Sequence, residues 1–202
     1  DHIGGLPEVL DRFVVRNYLE NGIPVSTAIY GRVVAAVERN GASVLAAEPR
    51  TLTLGGVQLR VLSLPPGLTK QNDNSVGLLL QYGAFRALLT GDSERRELAH
   101  WLEHDNVPAV SLVKVAHHGA NNGTTPQWVD ATRPGVAVIS VGRNGYGMPD
   151  AEVVDLWKRV AQHVVRTDEG GTVIVRVARN GKMLVLRSDG AGLISSHIEV
   201  PR

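Results

Sequence analysis

The sequence predicts a layered α/β domain. Short β-type apolar runs alternate with amphipathic helical segments, and these follow no strict βαβ rhythm, which favours stacked layers over a doubly wound sheet. The 202 residues are 43% hydrophobic and only 4% aromatic, enough for one substantial core. A single domain over residues 1–202 is therefore expected.

From the N-terminus, Leu6-Pro7-Glu8 opens a helical pattern in which Leu10, Phe13, Val14 and Tyr18 recur at intervals of three and four, stopped by Asn21-Gly22. A second helix over 27–39 places Ile29, Val33, Val34 and Val37 on one face and ends at Asn40-Gly41. Strands are predicted over 43–47, 51–54 and 57–63, with Gly55-Gly56 as a hairpin signal, before Pro65-Pro66-Gly67 forces a loop. Two further strands, 76–82 and 84–89, meet at Gly83, and the second runs into Thr90-Gly91-Asp92.

A helix over 93–104 and a buried strand over 109–116 follow, the strand opening onto His117-His118-Gly119. Thr125-Pro126 has the cap-then-proline signature of a helix start, 135–141 reads as a strand, and Asp150 caps a helix to about Gln162. Residues 164–186 are mostly β, with turns at Glu169-Gly170-Gly171 and Asn180-Gly181.

A formal charge of +1 gives no global attraction for phosphate, so nucleic-acid binding would need a local groove. With no cysteine there is neither a disulfide framework nor a thiolate metal site, leaving His, Asp, Glu and Asn as ligands. No run of about 18 apolar residues marks a membrane span, and the first residues form neither a basic nor an apolar leader region. Because the sequence opens on Asp1 and enters a glycine turn, an N-terminally incomplete domain is expected, with an open sheet edge that favours poor folding or dimerisation.

Chemistry gathers in four segments at the edges of apolar runs: Asp1-His2-Ile3-Gly4-Gly5, Asn72-Asp73-Asn74-Ser75, Thr90-Gly91-Asp92 and His117-His118-Gly119. Hydrolytic metal sites are built from carboxylates and imidazoles delivered by strand ends far apart in sequence, so this scatter points to metal-assisted hydrolysis. Each segment has a plainer alternative. Asp92 suits a helix cap as well as a ligand, Asp1-His2 suits an ordinary turn, and His117-His118 suits one core and one surface imidazole.

In order, Asp-His-Ile-Gly-Gly, Asn-Asp-Asn-Ser, Leu-Leu-Thr-Gly-Asp, Lys-Val-Ala-His-His-Gly and Ile-Ser-Val-Gly-Arg-Asn-Gly-Tyr-Gly resemble the metallo-β-lactamase-fold domain of the ComEC competence family. The resemblance covers nearly the whole chain, and Arg166-Thr167-Asp168 followed by Gly171-Thr172 continues it. It implies a four-layer αββα sandwich, here without its first strands, with a metal site along one edge of the two sheets. By the same matching, Asp1, His2, Asp92 and His117 are the implied ligands of one or two divalent ions, Mn or Zn. His117 is preferred to His118 because related hydrolases carry His-x-Gly-Ser/Thr there; His118, Asn72 and Ser75 are candidates for further ligands or their supports.

The implied nucleophile is a water on the metal, with Asp1 beside it. Asn144 and Tyr146 are candidate hydrogen-bond donors to a phosphate or oxyanion, and Lys70, Arg143, Lys158 and Arg166 could track a nucleic-acid backbone. The resemblance implies degradation of single-stranded DNA during natural transformation, on the outer side of a membrane and beside a membrane channel domain of the parent protein. Two alternatives stand: a hydrolase of small esters or lactams, and a DNA-binding module without catalysis. The second is suggested by Tyr146-Gly147-Met148-Pro149, where the family usually reads Tyr-Gly-His-Pro, and by the absence here of the superfamily's first ligand pair.

Overall fold

The computed structural model of the chain describes residues 2–188 and 194–200, with side chains of the last segment described only at Ile198. Asp1 lies outside the described residues. Where one domain is expected from sequence, the chain divides into two compact units, Asp1–Glu48 and Pro49–Arg202.

In the first unit, helix α1 (Leu6–Arg12) is followed by strand β1 (Asn17–Glu20), helix α2 (Ala28–Asn40) and strand β2 (Ser43–Ala46). The predicted first helix thus ends early: Tyr18, assigned to its apolar stripe by spacing, lies instead in β1, paired in parallel with Val44 of β2. The side chain of Asn40 explains the stop. Its amide donates to the carbonyls of Leu10 (2.5 Å) and Phe13 (2.7 Å) and accepts from the Val15 N–H (3.2 Å), so the groups left over at the helix end find a partner 25 to 30 residues away. Phe13 and Val14, 64% and 93% exposed, pack in no core despite their helical spacing. Leu10, Val33, Ala36 and Val37 form this unit's core. Gly41 ends α2 at φ +76°, the left-handed cap that Asn40-Gly41 predicts.

The second unit is built on a seven-stranded mixed sheet in sequence order, β3 (Arg50–Leu54), β4 (Val57–Val61), β5 (Leu78–Tyr82), β6 (Phe85–Leu89), β7 (Leu112–Lys114), β8 (Val136–Ile139) and β9 (His163–Arg166). β3 to β6 form an antiparallel meander whose hairpins lie at the predicted Gly55-Gly56 and Gly83 turns. β6 to β9 are parallel, and the crossovers carry α3 (Arg95–His104), α4 (Pro126–Thr132) and α5 (Ala151–Val160). The fold is α/β with a central mixed sheet.

The three helices cover one sheet face, each contributing a fully buried tryptophan: Trp101, Trp128 and Trp157, packed with Leu88, Val113, Ala137 and Ile139. Thr125 and Asp150 cap α4 and α5 by accepting from Trp128 N–H (3.1 Å) and Glu152 N–H (2.9 Å), as their sequence positions predict. After β9, a helical turn, α6 (Thr167–Gly170), occupies the place expected to be a simple turn. It leads to a second, antiparallel sheet of β10 (Thr172–Val177), β11 (Met183–Ser188) and β12 (Ile194–Val200). Met183 and Val185 of β11 pack with Phe85, Ala87, Leu112, Val136 and Val165 of the large sheet, so within this unit the layers run helix, sheet, sheet.

Candidate active site

Because β6, β7 and β8 are parallel, their C-terminal ends meet at one edge of the sheet, and the loops emerging there carry Thr90-Gly91-Asp92, His117-His118 and Ser140–Gly142. The first loop is tightly tied. Thr90, fully buried, donates its hydroxyl to Lys114 O (2.7 Å), and Ser93 Oγ donates back to Thr90 O. Gly91 takes φ +55°, and a Cβ there would press on Ser75 Cβ at 3.1 Å. Helix α3 begins at Arg95 with Glu94 at its N-cap and no side-chain cap bond, so Asp92 is not the helix cap that its position also allowed.

Asp92 instead faces His118, whose Nε2 lies 3.5 Å from Asp92 Oδ1. On the far side of the ring, His118 Nδ1 is 2.7 Å from the carbonyl oxygen of Ser140. A carbonyl only accepts, so Nδ1 carries the proton and, in the neutral ring, Nε2 presents a lone pair toward the carboxylate. Two electron-rich atoms held this way suit a cation or a proton, and a backbone carbonyl fixing the tautomer of a ligating imidazole is the usual support of a metal ligand. The donor set therefore fits a divalent ion.

His117 goes elsewhere. It and His118 both adopt left-handed backbone (φ +48° and +54°), uncommon for residues with a Cβ, and the double turn sends the rings apart, centroids 6.5 Å apart and tilted by 62°. His117 Nδ1 is buried, makes no hydrogen bond, and lies 4.0 Å from Glu94 Oε1. The structure thus brings His118, where sequence favours His117, to Asp92. An alignment of residue types cannot tell which of two adjacent imidazoles a strained turn points inward.

Lys114, at the end of β7, was not singled out from sequence. Its Nζ donates to Gly91 O (2.7 Å) and lies 3.9 Å from Asp92 Oδ1. Burial lowers its pKa, with Asp92 partly opposing the shift. A lone lysine inside the apolar run Leu-Val-Lys-Val was the available signal.

Asn72 and Ser75 support loops rather than facing Asp92. Asn72 O accepts from Glu94 N–H (3.0 Å), its amide reaches Glu94 Oε1 (3.4 Å), and Ser75 N–H donates to Glu97 Oε2 (3.1 Å). Glu97 is fully buried, and desolvation pushes its pKa up to about 8 against the lowering effect of the hydrogen bond from the Ser75 N–H. Asn144 spends its amide within its own loop, donating to Gly142 O (2.9 Å) and Met148 O (2.8 Å) and accepting from Tyr146 N–H (3.0 Å) and Met148 N–H (3.1 Å). It is thereby a loop organiser rather than a donor to an oxyanion. Arg166 is held by Asp168 (2.7 Å) and Glu169 (2.8 Å), whereas Lys70 and Arg143 are exposed. Lys158 lies 4.0 Å from Asp155 on the exposed face of α5. His2 is exposed in the turn before α1 of the first unit. An open cleft adjoins His118, walled by Ser140, Gly142, Thr167 and Gly171.

No known family model matches the chain. ComE operon protein 3 of Bacillus subtilis is 29% identical over 180 residues, covering 87% of this chain and 23% of that protein. The chain is similar in sequence to ComE operon protein 3. Recombination protein 2 of Haemophilus influenzae is 30% identical over 122 residues, covering 59% of this chain and 15% of that protein. The chain thus spans less than a quarter of the length of either curated relative. Among solved structures, the metallo-β-lactamase fold protein YhfI from Bacillus subtilis aligns over 81% of this chain and 68% of its own, at 11% identity and a TM-score of 0.46. The resemblance to ComEC inferred from motif order is borne out by the two curated relatives. No helix among the described residues is long and apolar enough to cross a membrane.

Proposed function

We propose that the chain is a metal-dependent phosphodiesterase that degrades single-stranded DNA as a ComEC-like domain of a membrane-associated parent protein, outside the cytoplasm. The observation that carries this is the pairing of His118 Nε2 with Asp92 at 3.5 Å, with the opposite ring nitrogen committed to Ser140 O at 2.7 Å. Asp92 and His118 would hold the ion. Asp1 and His2 join them on the strength of the opening motif alone, and His117, with its unbonded buried nitrogen, is the candidate for a second position. When bound, a divalent ion such as Mn²⁺ or Zn²⁺ supplies Lewis acidity, lowering the pKa of a water and polarising a phosphoryl oxygen.

The remaining work falls to the chain. Lys114 anchors the Gly91 carbonyl and so sets the direction of Asp92, while Ser140 O keeps His118 in the tautomer that faces the carboxylate. Among the described residues the cleft beside His118 is lined by small residues and hydroxyls, Ser140, Gly142, Thr167 and Gly171 among them, which suits a sugar-phosphate strand.

The test is incubation of purified protein with labelled single-stranded oligonucleotide and Mn²⁺ or Zn²⁺, with bound metal quantified in the same samples. Metal-dependent cleavage is expected. Bound metal without cleavage overturns the proposal; turnover of a chromogenic lactam or ester instead selects a small-substrate hydrolase. Less than about a tenth of an equivalent of metal, alongside DNA affinity, selects a binding module; that limit lies far below the stoichiometry of a resident ion.

A further inference from the structure

The loop from Gly142 to Pro149 leaves the wall of the His118 cleft at one end and returns against Gly119 at the other. Gly142 lines the cleft beside His118, and Pro149 packs on Gly119, where an added Cβ would come within 2.7 Å of the proline ring. The Asp150 N–H closes the return by donating to Gly119 O at 2.9 Å. Between these anchors the four hydrogen bonds of the Asn144 amide hold the backbone in one shape.

At the apex of this braced loop stands Tyr146, 86% exposed. Its neighbours are Gly145 and Gly147, and a Cβ built at either would meet no described atom within 4 Å beyond the adjoining residues. Gly147 sits at φ +75°, so the backbone itself disfavours a side chain there. Single exposed aromatics are common on protein surfaces. This one differs in standing on a loop braced by the Asn144 amide, with open space around a Cβ at either neighbouring glycine, one end of the loop lining the cleft with His118 and the other packing on Gly119. Arg143, exposed three positions before it, puts a cation on the same loop. A largely exposed planar ring on the same loop as a cation, next to a cleft of small residues and hydroxyls, is a combination suited to binding unpaired bases irrespective of sequence.

We propose that Tyr146 is a stacking platform for an unpaired base of single-stranded DNA, seating the strand across the cleft beside His118. The inference rests on the phosphodiesterase proposal and deepens it: selection for single strands comes from the ring, because paired bases in a duplex offer no free face. The ring's contribution is area and polarisability, so the hydroxyl is dispensable.

The experiment is an anisotropy titration of a short fluorescent oligothymidylate against an abasic strand with the same number of phosphates, using wild type, Tyr146→Ala and Tyr146→Trp. Wild type should prefer the base-bearing strand by about 5- to 150-fold, the range for one stacked base. Tyr146→Ala should bring the two strands near parity, and Tyr146→Trp should keep the preference. Trp101, Trp128 and Trp157 are fully buried, so the indole introduced at 146 is the exposed emitter, and its fluorescence should be quenched by the oligothymidylate and not by the abasic strand. Equal binding of both strands by wild type, no binding of either, or an unchanged preference in Tyr146→Ala overturns the inference. Wild-type hydrolysis of bis(p-nitrophenyl) phosphate with Mn²⁺ separates the two failures. Turnover with no base preference sinks the stacking role alone; no turnover with metal bound sinks the phosphodiesterase proposal beneath it.

Discussion

Replacing Glu97 with glutamine should stabilise the protein at neutral and alkaline pH, by an amount that grows with pH. Glu97 is fully buried beneath the Asp92 loop, and its carboxyl is pushed from 4.5 to about 8 by desolvation. In the unfolded chain it ionises near its ordinary value, so between about 4.5 and 8 the folded state holds a proton that the unfolded state has lost. The sign follows: with more protons bound in the folded state, unfolding free energy falls as pH rises, by about 1.4 kcal/mol per pH unit. Accumulated to pH 7 the loss is about 3 kcal/mol, and above the folded pKa it levels off near 5 kcal/mol, both upper limits because buried sites relax. Glutamine is neutral at every pH and keeps an oxygen for the Ser75 N–H, which Glu97 Oε2 accepts at 3.1 Å. Urea denaturation of wild type and Glu97→Gln from pH 5 to 9 measures the difference directly, other titrations cancelling. A stability gap that widens toward pH 8 and then levels is expected. A flat difference would show that Glu97 is ionised in the folded state and that the account of its burial is wrong.

Other substitutions probe the site and each core. Asp92→Asn and His118→Ala should each lower metal affinity by more than about 100-fold, beyond the usual loss for an outer supporting residue, measured by metal content after dialysis; His117→Ala should cost less. Gly77→Ala would place a Cβ 2.4 Å from the Trp101 ring, so it should cost about 1–3 kcal/mol or more and alter the near-ultraviolet dichroism of the tryptophan cluster. Asn40→Ala leaves two carbonyls and one N–H at the end of α1 without their partner, and should destabilise the first unit by about 1–3 kcal/mol, read by hydrogen exchange at Val15.

Much of this protein is written in local pattern. Hairpins at Gly55-Gly56 and Gly83, caps at Thr125 and Asp150, and the left-handed stop at Gly41 depend on the residues of one turn, and the chain carries them where periodicity and turn chemistry place them. Motif order pointed to ComEC, because five weak signals in a fixed sequence are jointly specific. Three features were beyond such signals. The end of α1 is set by Asn40, 27 residues beyond Phe13. Lys114 meets Gly91 and Asp92 only because β6 and β7 lie side by side in parallel.

The choice between His117 and His118 is the clearest case. Adjacent residues of identical type carry identical local information, and their roles separate only when a left-handed double turn directs one ring to Asp92 and Ser140 and the other toward Glu94. Residue types and their spacing therefore determined which chemistry is present and at which strand ends it emerges. Which atoms face one another was decided by the packing of strands and loops distant in the chain, since side-chain direction depends on backbone torsions that long-range contacts impose.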